Sequence, residues 1–582
     1  MSKITRRNFL KTAGFLTLAA SSFPMAAYAA ENTDVAQNNQ DAAGTVAASA
    51  HSTPTMPQLV TTDKGVLMGT VANGTYIFKG IPYATAERFM QPVEVEPWQG
   101  IRTAMNYGET CPNGQTTVSP SDYSDPSGTD NQPNETCQYL NVWTRSVDPN
   151  AKKPVLFWIH GGGWFSGSSN ELSYYDGASL SASQDIVFVS INHRLNVLGY
   201  TELSSYGEEY KNSGNAGVAD MVMALKWVQK NIANFGGDPD NITIMGQSGG
   251  GAKVSTLMGL PAAQGLFHKA VISSGGVSGI DLATAQAAGV ALVEKAKAQY
   301  NLGTDAEALA LLKTMPYDDL NKLYKDTGVG EGPVVDGEYY PAITIDEKGN
   351  LSKLARKIPV MVTTTFSEIS ESQFTFTTIQ PAVAAISANM PVDAYIPTFF
   401  KAYMSEETIQ QKLDEKFGVN KDAALAAFRK GFPGHPDVDA LFVDNSALTT
   451  DNLMILDVLA KKSKAPVYRG FFAYDLPLFG GIPATHTGGD LPFFFNNMAC
   501  IDYMIAGDEA TAQKVATEAS TALANFARTG NPSTSEHEWP AYTSKKKAAM
   551  IFDANTEVRY DFDTEFRGYL AAQADIPYNP QN

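Results

Sequence analysis

The sequence predicts an α/β protein with a mostly parallel central sheet. Short apolar runs rich in β-branched residues recur along the chain, and one segment between them has the periodicity of an amphipathic helix. Two of the runs lead directly into glycine-rich segments, as expected where a buried strand turns at the edge of a sheet. A strand, a helix and a second strand in this order imply that the two strands are parallel.

The predicted strands are too short for helices and lack the polar alternation of half-exposed strands. They are therefore interpreted as strands buried on both faces. Their ranges are Pro154–Ile159, Ile186–Ile191, Ile242–Met245, Ala270–Ser273 and Val360–Thr365.

The predicted helix lies between the second and the third of these strands. Apolar residues recur there at steps of three and four from Val218 to Ile232. This spacing places them on one side of a helix that ends near Gly236 and Gly237.

The composition is that of a globular protein. Of the 582 residues, 43% are hydrophobic and 18% are charged, which excludes a disordered, collagenous or multi-spanning membrane protein. The formal net charge of −18 disfavours binding to nucleic acid or to an anionic membrane surface.

Residues 1–29 have the features of a signal peptide. Basic residues precede an apolar stretch from Thr12 to about Ala20, and Ala27-Tyr28-Ala29 forms a small-x-small cleavage site. Arg6 and Arg7, followed by Phe-Leu-Lys, resemble the twin-arginine motif of bacterial export. Cleavage after Ala29 would remove four basic and no acidic residues, so the net charge of −18 would become −22.

The rest of the chain divides into two parts. Residues 30–56 contain no aromatic residue, Leu or Ile, and they are predicted to form a flexible tether. Residues 57–582 are predicted to form a single domain. We expect a periplasmic or secreted bacterial protein that uses the twin-arginine export machinery and keeps no stable membrane anchor after cleavage.

The third predicted strand leads into Gly246-Gln247-Ser248-Gly249-Gly250-Gly251, and a helix is expected to begin near Ala252. Gly-x-Ser-x-Gly between a strand and a helix is typical of a nucleophile elbow, a strained turn that presents the serine hydroxyl at the sheet edge. The turn could also be purely structural or cradle a phosphate, although its spacing differs from G-x-x-x-x-G-K-[ST]. Ser248 is thus a candidate nucleophile.

The first predicted strand ends in His160-Gly161-Gly162-Gly163-Trp164. An H-G-G-G sequence is typical of a loop whose backbone N–H groups bind an oxyanion. One such pre-aimed donor contributes about 3–4 kcal/mol to the transition state. The combination with the Gly-x-Ser-x-Gly turn favours acyl-transfer chemistry over a merely flexible loop.

An activated serine also needs a base, and the chain has seven histidines. His486 lies in a loop of small residues, from Gly480 to Asp490, that follows a strand-like run. Such a loop can bring an imidazole over the sheet edge, although a lone loop histidine is more often a solvated surface residue. Five of the other six lie in the tether, in the glycine loop or in segments where a structural or surface position is favoured; they are His51, His160, His268, His435 and His537.

Five further blocks follow one another along the chain: Phe78–Ala84, Cys137–Trp143, Asn192–Leu195, Asn231–Pro239 and Phe526–Pro532. These blocks resemble type-B carboxylesterases, the cholinesterase-like branch of the α/β-hydrolases, over roughly residues 58–565. Gln247 and Gly249 depart from the Glu and Ala that are usual in this family.

The resemblance implies the α/β-hydrolase fold, with a mostly parallel central sheet, helices on both faces and helical insertions around the active site. It implies Ser248 as nucleophile, His486 as base and Glu368 as the acid that orients the base. Glu368 closes a buried strand, where a carboxylate needs a partner, and Glu371 is its local rival.

The resemblance also implies backbone donors, a disulfide and a cofactor-free reaction. Gly162, Gly163 and Gly249 would form the oxyanion hole, and Cys111 and Cys137 would form a disulfide outside the cytoplasm. No metal or organic cofactor is expected, since the chain lacks H-E-x-x-H, C-x-x-C and Walker motifs.

Aromatic residues next to the motifs could line an apolar or aromatic substrate pocket, but such residues are as often part of the core. The candidates for this pocket are Trp164, Phe165 and Phe493.

The sequence therefore predicts an exported serine carboxylic-ester hydrolase that acts on a small-molecule ester and water. The alternatives are a non-catalytic cholinesterase-like binding protein, and acyl transfer or hydrolysis of non-ester acyl groups. The sequence indicates neither the natural ester nor the oligomeric state.

Overall fold

The computed structural model describes residues 56–113, 133–328, 330–368, 405–477, 488–502 and 504–571. The predicted signal peptide, and the predicted tether up to residue 55, lie outside these ranges.

The described chain contains seventeen strands. They are β1 (Met56–Thr61), β2 (Val66–Ala72), β3 (Thr75–Pro82), β4 (Ala84–Thr85), β5 (Val93–Glu94), β6 (Ile101–Thr103), β7 (Tyr139–Thr144), β8 (Lys153–Ile159), β9 (Val187–Ile191), β10 (Gly237–Gln247), β11 (Lys269–Ser273), β12 (Ile280–Asp281), β13 (Val334–Val335), β14 (Val360–Thr365), β15 (Val467–Phe472), β16 (Ala548–Phe552) and β17 (Glu557–Tyr560).

The same residues form thirteen α-helices. They are α1 (Ala178–Gln184), α2 (Asn196–Gly199), α3 (Ala216–Asn231), α4 (Gly249–Met258), α5 (Leu282–Tyr300), α6 (Asp305–Thr314), α7 (Tyr317–Lys325), α8 (Glu406–Phe417), α9 (Lys421–Gly431), α10 (Ala447–Lys462), α11 (Leu491–Phe494), α12 (Glu509–Thr529) and α13 (Thr564–Ala571). Within the described ranges, none of them is long and apolar enough for a membrane span.

The central sheet has the strand order β1-β2-β3-β7-β9-β8-β10-β11-β14-β15-β16-β17, and β6 pairs with β2. The strands from β9 to β16 pair in parallel. The strands at both ends of the sheet are mostly antiparallel. The predicted fold class is therefore confirmed.

The elements predicted from hydrophobic periodicity are present in the structure. The five predicted strands are β8, β9, β10, β11 and β14, and β10 is longer than predicted at both ends. The predicted helix is α3, which a 3₁₀ turn extends to Phe235, where Gly236 adopts a φ of +74°. The helix expected near Ala252 begins earlier, at Gly249.

The sheet divides the core into two apolar layers, because successive side chains of a strand point to opposite faces. Leu156 and Trp158 of β8 pack into the layer that includes α12. Val155 and Phe157 pack into the other layer, with α3 and α4. Apolar residues on both faces explain why these strands show no polar alternation.

Helical insertions follow the carboxyl ends of two parallel strands. Helices α5, α6 and α7 lie in the sequence between β11 and β14, and helices α8, α9 and α10 lie between β14 and β15. The first group shares a separate apolar cluster that includes Leu292, Leu312 and Leu323.

A buried ion pair ties α3 to the segment that follows β9. Asp220 is fully buried and accepts hydrogen bonds from the Arg194 side chain at 2.9 and 2.7 Å. It also accepts from the Arg194 backbone N–H at 3.0 Å and from Gln138 at 3.3 Å. Removing the carboxylate would leave the Arg194 cation buried without its counter-charge.

We expect Asp220→Ala to lower the free energy of unfolding by about 3–5 kcal/mol, as for other broken buried ion pairs. Urea or thermal denaturation measures this loss. Glu565→Ala, which breaks the exposed pair with Lys430, serves as the control and should change stability by no more than about 1 kcal/mol. Equal effects of the two substitutions would contradict the assigned role of Asp220.

Candidate active site

The carboxyl ends of four parallel strands bring the sequence motifs together. Gly246 of β10 pairs with Ile159 of β8, and Gln247 pairs with Ser273 of β11. The next residues along the chain are therefore Ser248 on one strand and His160 on its neighbour, at the same edge of the sheet.

Ser248 occupies a strained turn between β10 and α4. Its backbone angles are φ 55° and ψ −124°, and a positive φ is uncommon for a residue with a side chain. Its N–H donates to the Ser273 carbonyl oxygen at 2.9 Å, which fixes the turn to the end of β11. Such strain, of order 1–3 kcal/mol, persists only where the surrounding contacts enforce it.

The Ser248 turn packs directly on the glycine loop that follows β8. A Cβ atom at Gly249 would overlap the N, Cα and O atoms of Gly163. A Cβ atom at Gly246 would overlap the backbone of Gly250 on the first turn of α4. In this structure a side chain at either position would force one of the two closely approaching backbones to move.

Hydrogen bonds to its own carbonyl oxygens stabilise the glycine loop. Gly162 and Gly163 have φ angles of +79° and +61°. The Gly162 carbonyl oxygen accepts from the Ser166 N–H at 2.9 Å, and the Nδ1–H of His160 donates to the Gly161 oxygen at 3.0 Å. The three predicted oxyanion donors, on Gly162, Gly163 and Gly249, thus lie on two segments in contact with each other.

Glu368 lies three residues beyond β14 and is fully buried. One carboxylate oxygen, Oε1, accepts from the Ser274 hydroxyl and from the Thr365 N–H, both at 2.7 Å. The other oxygen, Oε2, is buried without a hydrogen-bond partner among the described residues. Burial raises the pKa of Glu368 to about 8, because a desolvated carboxylate lacks compensating charge.

A second buried carboxyl group, Asp490, lies beside the first and was not identified from the sequence. Its Oδ2 accepts from the Ser273 hydroxyl at 3.4 Å, and burial raises its pKa to about 7. Its charge also contributes to the raised pKa of Glu368. The adjacent residues Ser273 and Ser274 thus bind the two carboxyl groups.

His486 and Glu371 lie outside the described residues. The described chain resumes at Gly488, where a Cβ atom would lie 3.5 Å from the side chain of Gln247. Two residues after His486, the loop is therefore next to the residue that precedes Ser248.

The three predicted pocket aromatics do not share one surface. Trp164 is buried, and its indole N–H donates to the Ser278 hydroxyl at 3.1 Å. Phe165 is 44% exposed. Phe493 is fully buried and packs on Phe472 with 4.8 Å between ring centroids, so it belongs to the core and offers no accessible surface to a substrate.

The structure does not contain the predicted disulfide between Cys111 and Cys137. Both cysteines are buried free thiols, and the Cys137 thiol hydrogen-bonds to Cys111. The Cys111 sulfur accepts from the Leu195 N–H at 3.3 Å and donates to the Pro112 carbonyl oxygen at 3.6 Å. The pair is adjacent, but hydrogen bonds rather than a covalent bond hold it.

One group of side chains in the described chain has the composition of a metal site. Ligand atoms of His435, Asp439 and Asp475 lie within 4.8 Å of one another. Both ring nitrogens of His435 are already hydrogen-bonded, to Asp439 at 3.0 Å and to Asp553 at 3.3 Å. Although burial opposes it, these bonds raise the pKa of His435 to about 9, so the imidazolium itself balances the carboxylates.

Lys253 is a further buried group that sequence reasoning missed. It lies on α4, one helical turn after Gly249, and it contacts the glycine loop. The available signal was a single lysine in the segment Gly-Gly-Gly-Ala-Lys-Val-Ser-Thr-Leu-Met, which is otherwise free of charge.

Comparisons with known proteins agree with this geometry. A sequence profile of the carboxylesterase family matches residues 56–567. Para-nitrobenzyl esterase from Bacillus subtilis (strain 168) is 30% identical over 528 residues, which cover 88% of this chain and 98% of that protein. Fumonisin B1 esterase from Sphingopyxis macrogoltabida is 30% identical over 515 residues, which cover 84% and 85% of the two chains.

A solved structure with the same architecture is that of an esterase from anaerobic Clostridium hathewayi that can hydrolyse aliphatic aromatic polyesters. Its TM-score is 0.76 at 35% sequence identity, and the match covers 89% of this chain and 100% of that one. The resemblance seen in the sequence is therefore confirmed: the chain belongs to the carboxylesterase family, has the α/β-hydrolase fold and is a carboxylic-ester hydrolase.

Proposed function

We propose that the protein hydrolyses esters through an acyl-enzyme on Ser248, with His486 as the base and Glu368 as the acid. One observation carries this proposal: adjacent residues hold the nucleophile and the acid. The Ser273 carbonyl oxygen binds the Ser248 N–H, and the Ser274 hydroxyl binds Glu368. Oε2 of Glu368, which has no hydrogen-bond partner among the described residues, would supply the acceptor that an imidazole N–H requires.

The proposed reaction has two acyl-transfer steps. His486 takes the Ser248 proton as the hydroxyl oxygen attacks the ester carbonyl, and the resulting imidazolium pairs with Glu368. The tetrahedral intermediate collapses, and the alcohol leaves with the proton from His486. Water, deprotonated by the same base, then attacks the acyl-enzyme and releases the carboxylic acid and free Ser248.

The raised pKa of Glu368 is consistent with this role. Burial alone disfavours the carboxylate, and a cationic partner offsets that effect. An imidazolium at His486 would supply such a partner when it forms during the reaction, so Glu368 stabilises charge that develops in the transition state.

The proposed oxyanion hole consists of the N–H groups of Gly162, Gly163 and Gly249. The close contact between Gly163 and Gly249 would direct donors from two segments at one oxygen atom. Donors fixed before the reaction require no reorganisation as the charge forms.

We propose small esters with an apolar or aromatic group as substrates. The relatives support this class, since one is a para-nitrobenzyl esterase and another can hydrolyse aliphatic aromatic polyesters. The exposed ring of Phe165, directly after the glycine loop, offers an apolar surface near the site. To test this class, kcat/KM is measured for para-nitrobenzyl, aliphatic and polycarboxylic esters, and the three classes of ester are ranked by it.

We expect Glu368→Gln to lower kcat by about 10³-fold or more with little change in KM, because a neutral amide cannot stabilise the imidazolium. Ser248→Ala and His486→Ala should remove the acyl-enzyme altogether. Hydrolysis of para-nitrophenyl acetate and covalent labelling by a fluorophosphonate measure both effects.

Glu371→Gln and His537→Ala are the matched controls and should retain wild-type rates. Loss of activity in Glu371→Gln but not in Glu368→Gln would identify Glu371, rather than Glu368, as the acid. Wild-type turnover by Ser248→Ala would overturn the proposed mechanism.

Although Ala is usual at this position in the family, the backbone of Gly163 lies too close to Gly249 in this chain for a side chain. We therefore expect Gly249→Ala to lower kcat by about tenfold or more, because the added methyl group would push Gly163 away from its position. KM should change less than kcat, since the oxyanion forms only in the transition state. Gly265→Ala is the control, as no atom lies within 4 Å of a Cβ there. Its positive φ can lower stability, but its kcat should remain that of the wild type; an unchanged kcat in Gly249→Ala would contradict the proposed hole.

We also propose export by the twin-arginine pathway, with cleavage after Ala29. Replacing Arg6 and Arg7 together by lysine should keep the precursor inside the cell. Cell fractionation and mass spectrometry of the amino terminus measure the outcome. Normal export of the double variant would exclude this route.

A further inference from the structure

Lys253 is a lysine with no exposed surface, and its ammonium group faces the glycine loop. Its Nζ donates to the His160 carbonyl oxygen at 3.2 Å and lies 3.5 Å from the Gly161 carbonyl oxygen. Its Nζ also lies 5.8 Å from the ring centre of Trp164. A buried ammonium group is unfavourable unless nearby dipoles or charges compensate it, and these carbonyl groups provide that compensation.

The two carbonyl groups belong to the peptide units that lead into the proposed oxyanion hole. The Gly161 carbonyl and the Gly162 N–H are opposite ends of one peptide group. His160 also donates to this carbonyl, so two side chains hold the same peptide unit. A hydrogen bond to the carbonyl oxygen fixes the direction of the N–H and polarises it, which strengthens it as a donor.

Lys253 also lies on the helix that carries the nucleophile. Helix α4 begins directly after Ser248 with Gly249, and Lys253 follows one turn later. Its contacts with His160 and Gly161 therefore connect the two segments that supply the oxyanion donors.

We infer that Lys253 is a positioning residue for ester hydrolysis: it holds the peptide unit of Gly161 and Gly162 so that the Gly162 N–H faces the reacting oxygen, and its positive charge stabilises the oxyanion. This inference rests on the proposed function, since it requires attack by Ser248 and an oxyanion at the glycine loop. The lysine acts through the loop and does not touch the substrate.

Several titratable groups face Lys253. His160 and His193 belong to the segments after β8 and β9, and their rings stack at 4.9 Å. Burial, followed by the charge of Lys253, holds the pKa of both histidines well below the ordinary range. Burial lowers the pKa of Lys253 to about 7, and Glu171 and Cys111 oppose this shift only in part.

The charge of Lys253 determines how kcat is expected to depend on pH. Both histidines are neutral, so Lys253 is the cation at this position. A lysine is charged below its pKa, so its charge is present on the acid side and is lost as the pH rises through about 7. We therefore expect kcat to decline on the alkaline side, after the rise that follows deprotonation of the base.

The test compares Lys253→Met with Lys416→Met. Lys416 is a partly buried lysine that donates to two carbonyl oxygens, those of Ala440 and Leu441, at 3.1 and 2.7 Å. Both substitutions remove an ammonium group from backbone carbonyl groups, but Lys416 lies on α8 and contacts Ala440 and Leu441 rather than the glycine loop.

With para-nitrophenyl acetate, we expect Lys253→Met to lower kcat by about tenfold to a hundredfold, less than loss of a direct oxyanion donor. KM should stay within about twofold of the wild type, and the alkaline decline in kcat should disappear. Lys416→Met should keep the wild-type kcat and alkaline decline, even where its melting temperature falls.

The inference would be overturned if folded Lys253→Met kept the wild-type kcat, or if the substitution raised KM without changing kcat. If Lys253→Met does not fold, the kcat of the wild type is measured from about pH 6 to about pH 10. A kcat that stays constant on the alkaline side would then overturn the inference. Fluorophosphonate labelling separates the two proposals. If the wild type is not labelled on Ser248, the proposed function fails; if it is, the kcat of Lys253→Met tests the lysine alone.

Discussion

The contact between the backbones of Gly163 and Gly249 is the constraint on which the site depends. It joins the loop after β8 to the first turn of α4, and β8 and β10 are neighbours in the parallel sheet. The contact forms only because the turn at Ser248 is tight, which explains why that residue adopts a positive φ. The strand register therefore determines how close the predicted nucleophile comes to the predicted oxyanion donors.

The strand order also separates the buried charges at this edge. Ser248 follows β10, which lies between β8 and β11. Glu368 and Asp490 are bound on the β11 side, through Ser274 and Ser273, while Lys253 contacts the end of β8. The strand order thus places two buried carboxyl groups on one side of the nucleophile, where they could stabilise an imidazolium. It places a buried lysine on the other side, near the proposed oxyanion.

Features encoded within a short stretch of sequence could be predicted, and those that depend on long-range packing could not. Hydrophobic periodicity located α3 and the parallel strands, and the Gly-x-Ser-x-Gly spacing located the turn at Ser248. Phe493 was placed near a pocket because it follows a motif, but its ring packs on Phe472 of another element. Resemblance implied a disulfide between Cys111 and Cys137, but both are free thiols in the structure.

Three glycines form the start of α4, the helix from which Lys253 contacts the glycine loop. Glycine destabilises a helix by about 1 kcal/mol relative to alanine, so a helix that begins with three of them has a weak first turn. Close approach requires all three, since a Cβ atom would overlap Gly163 at position 249, the Ile159 oxygen at position 250 and Gly275 at position 251. Lys253 reaches back from the second turn of α4 to the carbonyl groups of the loop, and it thereby restrains the segment where the helix is weakest.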